Sequence, residues 1–377
     1  MQKILNFNRK ISIIFQKVGV ILKNKLQILL LSFFILIFFI IGGCDLYDIL
    51  PTTDDQPQSV TDAELTVSFI DVGQGDATLI ECGGEAMLID AGLYSERYSV
   101  VNYLSQRGIE NLKYCVATHP HADHIGGMSE VIYTFETDTL VYPLCNGGSD
   151  SFNYTLDACD EKGVSYLNPN PLDTLSVGKA TVTVLSPKAY ADYDNLNNNS
   201  LVLKLEYEDV SFLFMADAEK DVEKELLNKG YDLNADMLKA GHHGSSTSSS
   251  PEFINAVTPS VSVISCGIDN DYGHPHKETV STFKSRDIKM YRTDKLSTII
   301  AESDGESITF STENRTLGTI FPKQVSDYSY IGNKKTKVFH LSACESVADM
   351  NIKNKVDFIN REDAVKEGYS PCKSCYP

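Results

Sequence analysis

The chain has no tryptophan and only eight histidines in 377 residues, and basic residues are scarce, with 33 Lys and Arg against 51 Asp and Glu. Without Trp, a core must be built on the 17 Phe, the 19 Tyr and the aliphatic residues, which a hydrophobic fraction of 42% allows. The formal net charge of −18 understates the imbalance. Six of the cations (Lys3, Arg9, Lys10, Lys17, Lys23, Lys25) fall in residues 1–43, which hold no acid, so the remainder is more acidic still. Such a field disfavours tight binding along an extended nucleic acid, although bound metal ions reverse the sign locally. Long apolar runs are equally rare. Residues 26–41 form the only one, so this chain alone cannot build a DNA-conducting channel.

That run follows Lys23 and Lys25 and precedes Gly42-Gly43-Cys44, the layout of a secretory signal. Ile41-Gly-Gly-Cys44 resembles a bacterial lipoprotein box, in which Cys44 would be lipidated. The other reading is an uncleaved apolar anchor. Either predicts an extracytoplasmic protein held to the cell membrane by residues 1–44. Residues 45–63, rich in Pro, Thr, Asp and Gln without hydrophobic periodicity, predict a linker.

What is present is concentrated. Three of the eight histidines lie in Thr118-His-Pro-His-Ala-Asp-His-Ile-Gly-Gly-Met128, where His119, His121, Asp123 and His124 fall within six residues. Tyr114-Cys-Val-Ala-Thr118 reads as a buried strand, and a helix begins after Gly126-Gly127. A strand ending in a tight polar loop gathers side chains in a small volume. Imidazole and carboxylate suit zinc, manganese or iron, with His119 and His121 placed for one ion and Asp123 and His124 for a second. Cys82, Cys115, Cys145, Cys159 and Cys266 are scattered without metal spacing, and Cys115 and Cys266 read as small core residues.

The H-x-H-x-D-H pattern resembles the metallo-β-lactamase superfamily. Phe69-Ile-Asp-Val-Gly-Gln-Gly-Asp-Ala77, Met87-Leu-Ile-Asp-Ala-Gly92, Leu238-Lys-Ala-Gly-His-His-Gly-Ser245 and Tyr272-Gly-His-Pro275 narrow the likeness to the hydrolase domain of ComEC-type competence proteins. Phosphorylcholine esterases of the same fold are also similar. The resemblance implies an α/β, four-layer αββα sandwich over residues 64–312, in which strands and helices alternate in two halves that feed ligands to one edge. It also implies that Asp71 orients a metal-bound histidine and that Asp217, at the tip of Val210-Ser-Phe-Leu-Phe-Met215, bridges two cations. One of His242 and His243 completes the second metal. We take His243 as the ligand, leaving His242 and His274, with Asp123, for the catalytic work. Many members carry a further metal-binding histidine near residues 195–200. Here Asn197, Asn198, Asn199 and Ser200 stand instead, which implies an open position at one metal.

Residues 313–329 predict a second linker, and residues 330–377 a separate unit. His340-x3-Cys344 and Cys372-x2-Cys375 have the spacing of a structural zinc site. The segments 330–340 and 361–372 resemble the metal-binding domain of Ada DNA-repair proteins. There the first ligand is a methyl-accepting cysteine. His340 cannot accept methyl groups that way, so a structural or binding module is expected. Together these readings predict a metal-dependent hydrolase with two divalent ions, zinc or manganese, and one structural zinc. Its substrate would be a phosphodiester, with single-stranded DNA implied by the ComEC likeness. Teichoic-acid or lipid head groups are implied by the phosphorylcholine-esterase likeness, and a surface protein binding DNA or cell wall through its zinc module is the third reading.

Overall fold

A computed structural model of the chain describes residues 64–145, 148–188, 193–322, 330–341, 344–348, 350–358 and 361–375. The apolar run, Cys44 and the first linker lie outside these residues. Among those described, no helix is long and apolar enough to cross a membrane.

The chain first lays down β1 (Leu65–Phe69), β2 (Thr78–Cys82), β3 (Glu85–Ile89), β4 (Asn111–Val116), β5 (Glu136–Val141) and β6 (Ser165–Leu167). It then crosses to a second sheet of β7 (Thr174–Val177), β8 (Ala180–Ser186), β9 (Val202–Tyr207), β10 (Val210–Phe214), β11 (Met237–Lys239), β12 (Val261–Ile264) and β13 (Lys289–Arg292). Finally β14 (Ile299–Ser303), β15 (Ile308–Thr312) and β16 (Arg315–Ile320) return to the first sheet, where β14 pairs antiparallel with β1, Leu65 opposite Ser303. The sheets run β16-β15-β14-β1-β2-β3-β4-β5-β6 and β13-β12-β11-β10-β9-β8-β7.

Period-two alternation explains the layering. On β10, Val210, Phe212 and Phe214 face the space between the sheets, while Leu213 turns to the outer side. Leu203 and Leu205 on β9 and Val67 and Phe69 on β1 meet them in the central core. Val100 and Leu104 of the helix Arg97–Gln106 and Met128 and Val131 of the helix Met128–Thr134 cover the first sheet. Val222, Leu226, Phe253 and Phe283 from three helices cover the second. Each such side chain taken fully out of water stabilises the fold by roughly 1.5–3 kcal/mol. Two sheets between two helical layers are the expected αββα sandwich.

One boundary moves. The strand β16 extends the first sheet to Ile320, past residue 312 where a linker was expected. Its Thr-rich sequence carries little apolar alternation, since it is an edge strand with much of its surface in solvent. The C-terminal unit forms its own sheet of β17 (Tyr330–Asn333), β18 (Val338–Leu341), β19 (Lys355–Phe358) and β20 (Ser370–Pro371). Its separate small core joins Phe339, Phe358, Ala364 and Tyr369.

Candidate metal centre

The parallel strands β3 and β4 of one sheet and β10, β11 and β12 of the other deliver their C-terminal ends to a common edge. From β4 comes the loop of His119 and His121, then the short helix Ala122–Ile125 that carries Asp123 and His124. From β10 comes Asp217. From β11 comes the turn of His242 and His243, whose backbones adopt left-handed angles (φ 48° and 53°). That conformation is costly for a residue with a Cβ. It turns the two neighbouring rings apart, so that His243 is buried while His242 stays partly open.

The candidate ligand atoms fall into two overlapping sets, each with all its atoms within 4.8 Å of one another. One set is His119, His121 and Asp217; the other is Asp123, His124, Asp217 and His243. Asp217 belongs to both, and its two oxygens divide between them. Oδ1 lies 3.1 Å from His124 Nε2 and 3.6 Å from His243 Nε2, whereas Oδ2 lies 3.8 Å from His119 Nε2. His124 Nε2, His243 Nε2 and Asp217 Oδ1 are buried, yet none has a hydrogen-bond partner among the described residues. Buried polar atoms left without partners are costly. A cation among them removes that cost, and four imidazoles with two carboxylates suit zinc or manganese. The residues therefore fit a metal centre.

The electrostatics agree. Burial would raise the Asp217 carboxyl, but the facing His124 and His243 outweigh it and hold the group well below the usual carboxylate range. Burial would likewise lower His124, but Asp217 and Asp90 drive it far above the ordinary imidazole value. These opposed shifts mark carboxylates and imidazoles packed for mutual charge, or for a cation between them.

Asp71, expected to orient a ligand histidine, does not do so. Its carboxylate accepts from Gly73 N at 3.1 Å and its own N–H bonds Thr298 Oγ1 at 3.0 Å, so it shapes a turn. Two other carboxylates do the orienting. Asp90 Oδ2 lies 2.7 Å from His124 Nδ1, while Asp90 is itself held by the N–H and hydroxyl of Thr118 at 2.9 and 2.7 Å. Asp76 Oδ1 lies 3.2 Å from His243 Nδ1, and the buried Lys239 ammonium bonds both Asp76 oxygens at 3.0 and 2.7 Å. The signal for these residues was present in the sequence. Asp76, Asp90 and Lys239 are charged residues set among the apolar positions of three of the motifs quoted above.

His242 and His274 line the open side. His242 Nδ1 lies 3.0 Å from Thr247 Oγ1 and 3.2 Å from Glu219 Oε1, and its Nε2 lies 3.8 Å from Asp217 Oδ2. The His274 ring is 5.4 Å from that of His242 and 6.0 Å from that of His243. Burial, with the neighbouring imidazoles of His243 and His242, lowers its pKa to about 4. His276 caps the helix Lys277–Lys284 and accepts from Ser246 N at 2.9 Å, a structural place. The polar loop at 195–200 braces the backbone around Asp217. Ser200 Oγ accepts from Asp217 N, Asn198 Oδ1 accepts from Glu219 N, and Asn197 reaches Glu219 and His242.

In the C-terminal unit His340, Cys344, Cys372 and Cys375 present their ligand atoms within 4.8 Å of one another. Both cysteines of the Cys372-x2-Cys375 pair are free thiols, as are the other six among the described residues. Burial would raise the Cys372 thiol, but the backbone N–H groups of Ser374 and Cys375 outweigh it and hold it below the usual thiol range, favouring a thiolate.

The family model described as Metallo-beta-lactamase superfamily matches residues 70–268, and the one described as Metal binding domain of Ada matches residues 323–377. The ComE operon protein 3 of Bacillus subtilis is 32% identical over 255 residues, covering 63% of this chain and 33% of that protein. Competence protein ComA of Neisseria gonorrhoeae is 29% identical over 250 residues, covering 63% and 32%. The chain thus spans about a third of the length of these curated relatives. Among solved structures, a novel metallo hydrolase from Ignicoccus hospitalis aligns at a TM-score of 0.42 and 15% identity, covering 62% of this chain and 98% of the other.

Proposed function

Since this chain belongs to the metallo-beta-lactamase superfamily and is a metallo-hydrolase of the competence-protein type with an Ada-like zinc-binding tail, we propose that it cleaves phosphodiester bonds in DNA with two divalent ions, zinc or manganese. The observation that carries the reading is the division of Asp217, whose two oxygens face two separate sets of ligands. Two ions bridged by one carboxylate would lower the pKa of water toward 7 and offset the charge of a phosphoryl group in displacement. The first ion would be held by His119, His121 and Asp217, the second by Asp123, His124, His243 and Asp217. The first set has three candidate protein ligands and the second four.

The chain's own groups complete the chemistry. Glu219 and Thr247 fix the His242 ring through Nδ1, leaving Nε2 on the Asp217 Oδ2 side to bond a phosphoryl oxygen or pass a proton to the leaving oxygen. His274, with its lowered pKa, is neutral near pH 7 and contributes a hydrogen bond rather than a charge. Asp90, Asp76 and Lys239 hold the ligand rings in place. The sequence layout of residues 1–44 supports placing this activity outside the cell membrane, anchored there by Cys44 or the apolar run. The third ion, zinc, would sit on His340, Cys344, Cys372 and Cys375.

The test is turnover by the full-length protein, supplied with manganese or zinc, of single-stranded DNA and of bis-p-nitrophenyl phosphate. Cleavage of both is expected, with Asp217→Asn lowering each rate at least 100-fold, on the order of what removing a charge-stabilising group costs. Absence of turnover with metals bound would overturn the phosphodiesterase reading. Turnover of choline phosphodiesters but not of DNA would move the substrate to wall or lipid head groups.

A further inference from the structure

Beside the metal edge, one continuous segment carries features that the hydrolytic chemistry leaves unused. Tyr272 is 67% exposed beside the candidate metal centre. It is stacked on His274, with ring centroids 5.7 Å apart and planes within 18°. One face of the phenol ring is thereby fixed against the site and the other is open. The segment is held firmly. Asn270 Oδ1 accepts from His274 N at 2.9 Å, Asn270 Nδ2 donates to His274 O at 2.8 Å, and His276 Nε2 bonds Tyr272 O at 3.1 Å. Immediately beyond it opens a shallow cleft of about 590 Å³ lined by Pro275, Lys277, Val280, Ser281, Lys284 and Arg292.

The cleft is basic in a chain that is otherwise strongly acidic. Arg292 is tied to Asp294. Lys277 and Lys284 are exposed and pair with no carboxylate among the described residues. A flat aromatic face on the segment that leads into a cleft with two such cations matches the two parts of a nucleotide. A base stacks on any π face whatever its identity, and a phosphate one step along the backbone meets ammonium groups. A duplex offers no free base face at this point, whereas a single strand does.

Resting on the phosphodiesterase reading above, we propose that Tyr272 and the cleft of Lys277 and Lys284 form a nucleotide subsite for single-stranded nucleic acid. The base beside the scissile phosphate stacks on Tyr272, and the next phosphate enters the cleft. Recognition then depends on stacking and two cations rather than on a long basic groove, which the acidic surface does not provide.

The experiment compares an oligothymidylate with an oligomer of equal length whose sugars carry no bases. Binding to the full-length protein is read by fluorescence anisotropy and cleavage by kcat/KM. The wild type is expected to prefer the base-bearing strand by about 10-fold, the scale of one stacked base. Tyr272→Ala is expected to bring that preference to about one, and Tyr272→Phe to keep it. Lys277→Ala with Lys284→Ala is expected to weaken both strands together and to flatten the salt dependence by about two charges. A preference that persists in Tyr272→Ala, or that the wild type never shows, overturns the subsite. Because binding is read separately, a wild-type preference that Tyr272→Ala abolishes, seen without any cleavage by the metal-loaded protein, would sink the phosphodiesterase reading and leave the subsite standing.

Discussion

Aspartates with similar sequence surroundings do different work here. Asp71 and Asp90 follow short apolar strands and Asp76 precedes one, each within two residues of a glycine, and each looks equally suited to hold a histidine. The structure separates them by their partners: Asp71 meets Gly73 two residues on, while Asp90 meets Thr118 and His124. Such partners lie 28 to 34 positions away in Asp90's case, a pairing that local pattern cannot give. The candidate ligands were legible because the loop at 119–124 packs them densely and Asp217 and His243 sit at strand tips. Asp90→Asn is therefore expected to lower metal affinity about 10- to 100-fold, since it loosens the ring of a ligand. Asp71→Asn should stay within a few-fold. Competition against a chromophoric chelator measures both, and equal losses would return the orienting role to Asp71.

Strands were the easiest elements to read, because β8 alternates between buried and more exposed residues while β9 and β10 are almost wholly buried, largely apolar runs. The helix at 251–257 begins and ends where Ser250 and Thr258 place it. Harder to foresee was how tightly the turn after β1 closes on the metal loop. A Cβ on Gly75 would stand 2.3 Å from the Asp123 carbonyl oxygen, at a φ of +149°, and the next residue, Asp76, donates its N–H to that same oxygen at 3.1 Å. Gly75→Ala is expected to push on the backbone of Asp123, costing about 1–3 kcal/mol of stability and weakening metal binding. Gly73→Ala, where φ is +66° but nothing lies within 4 Å, is expected to cost about 1 kcal/mol and leave the metals in place. Thermal melts with metal titrations distinguish the two. Equal metal loss in both variants would show that turn strain alone, and not the contact, governs the loop.

Across the molecule, the sandwich and the C-terminal sheet have separate cores, the latter a cluster of four buried apolar side chains among the described residues. So small a core needs its ion. Cys372→Ser is expected to remove one bound metal and the weaker of two calorimetric transitions while the hydrolase metals remain; loss of all three metals would contradict that independence. The boundary near residue 312 was misplaced because β16, an edge strand, offers no apolar alternation to read. In the sandwich, the loop ligands follow β4 of the nine-stranded sheet, whereas Asp217 and His243 follow β10 and β11 of the seven-stranded sheet. Neither half of the polypeptide can assemble either set of candidate ligands by itself. The shared carboxylate thus makes folding and assembly of the site a single event: a chain with only one half ordered is inert, and only a molecule that has brought its two halves into register can arm it.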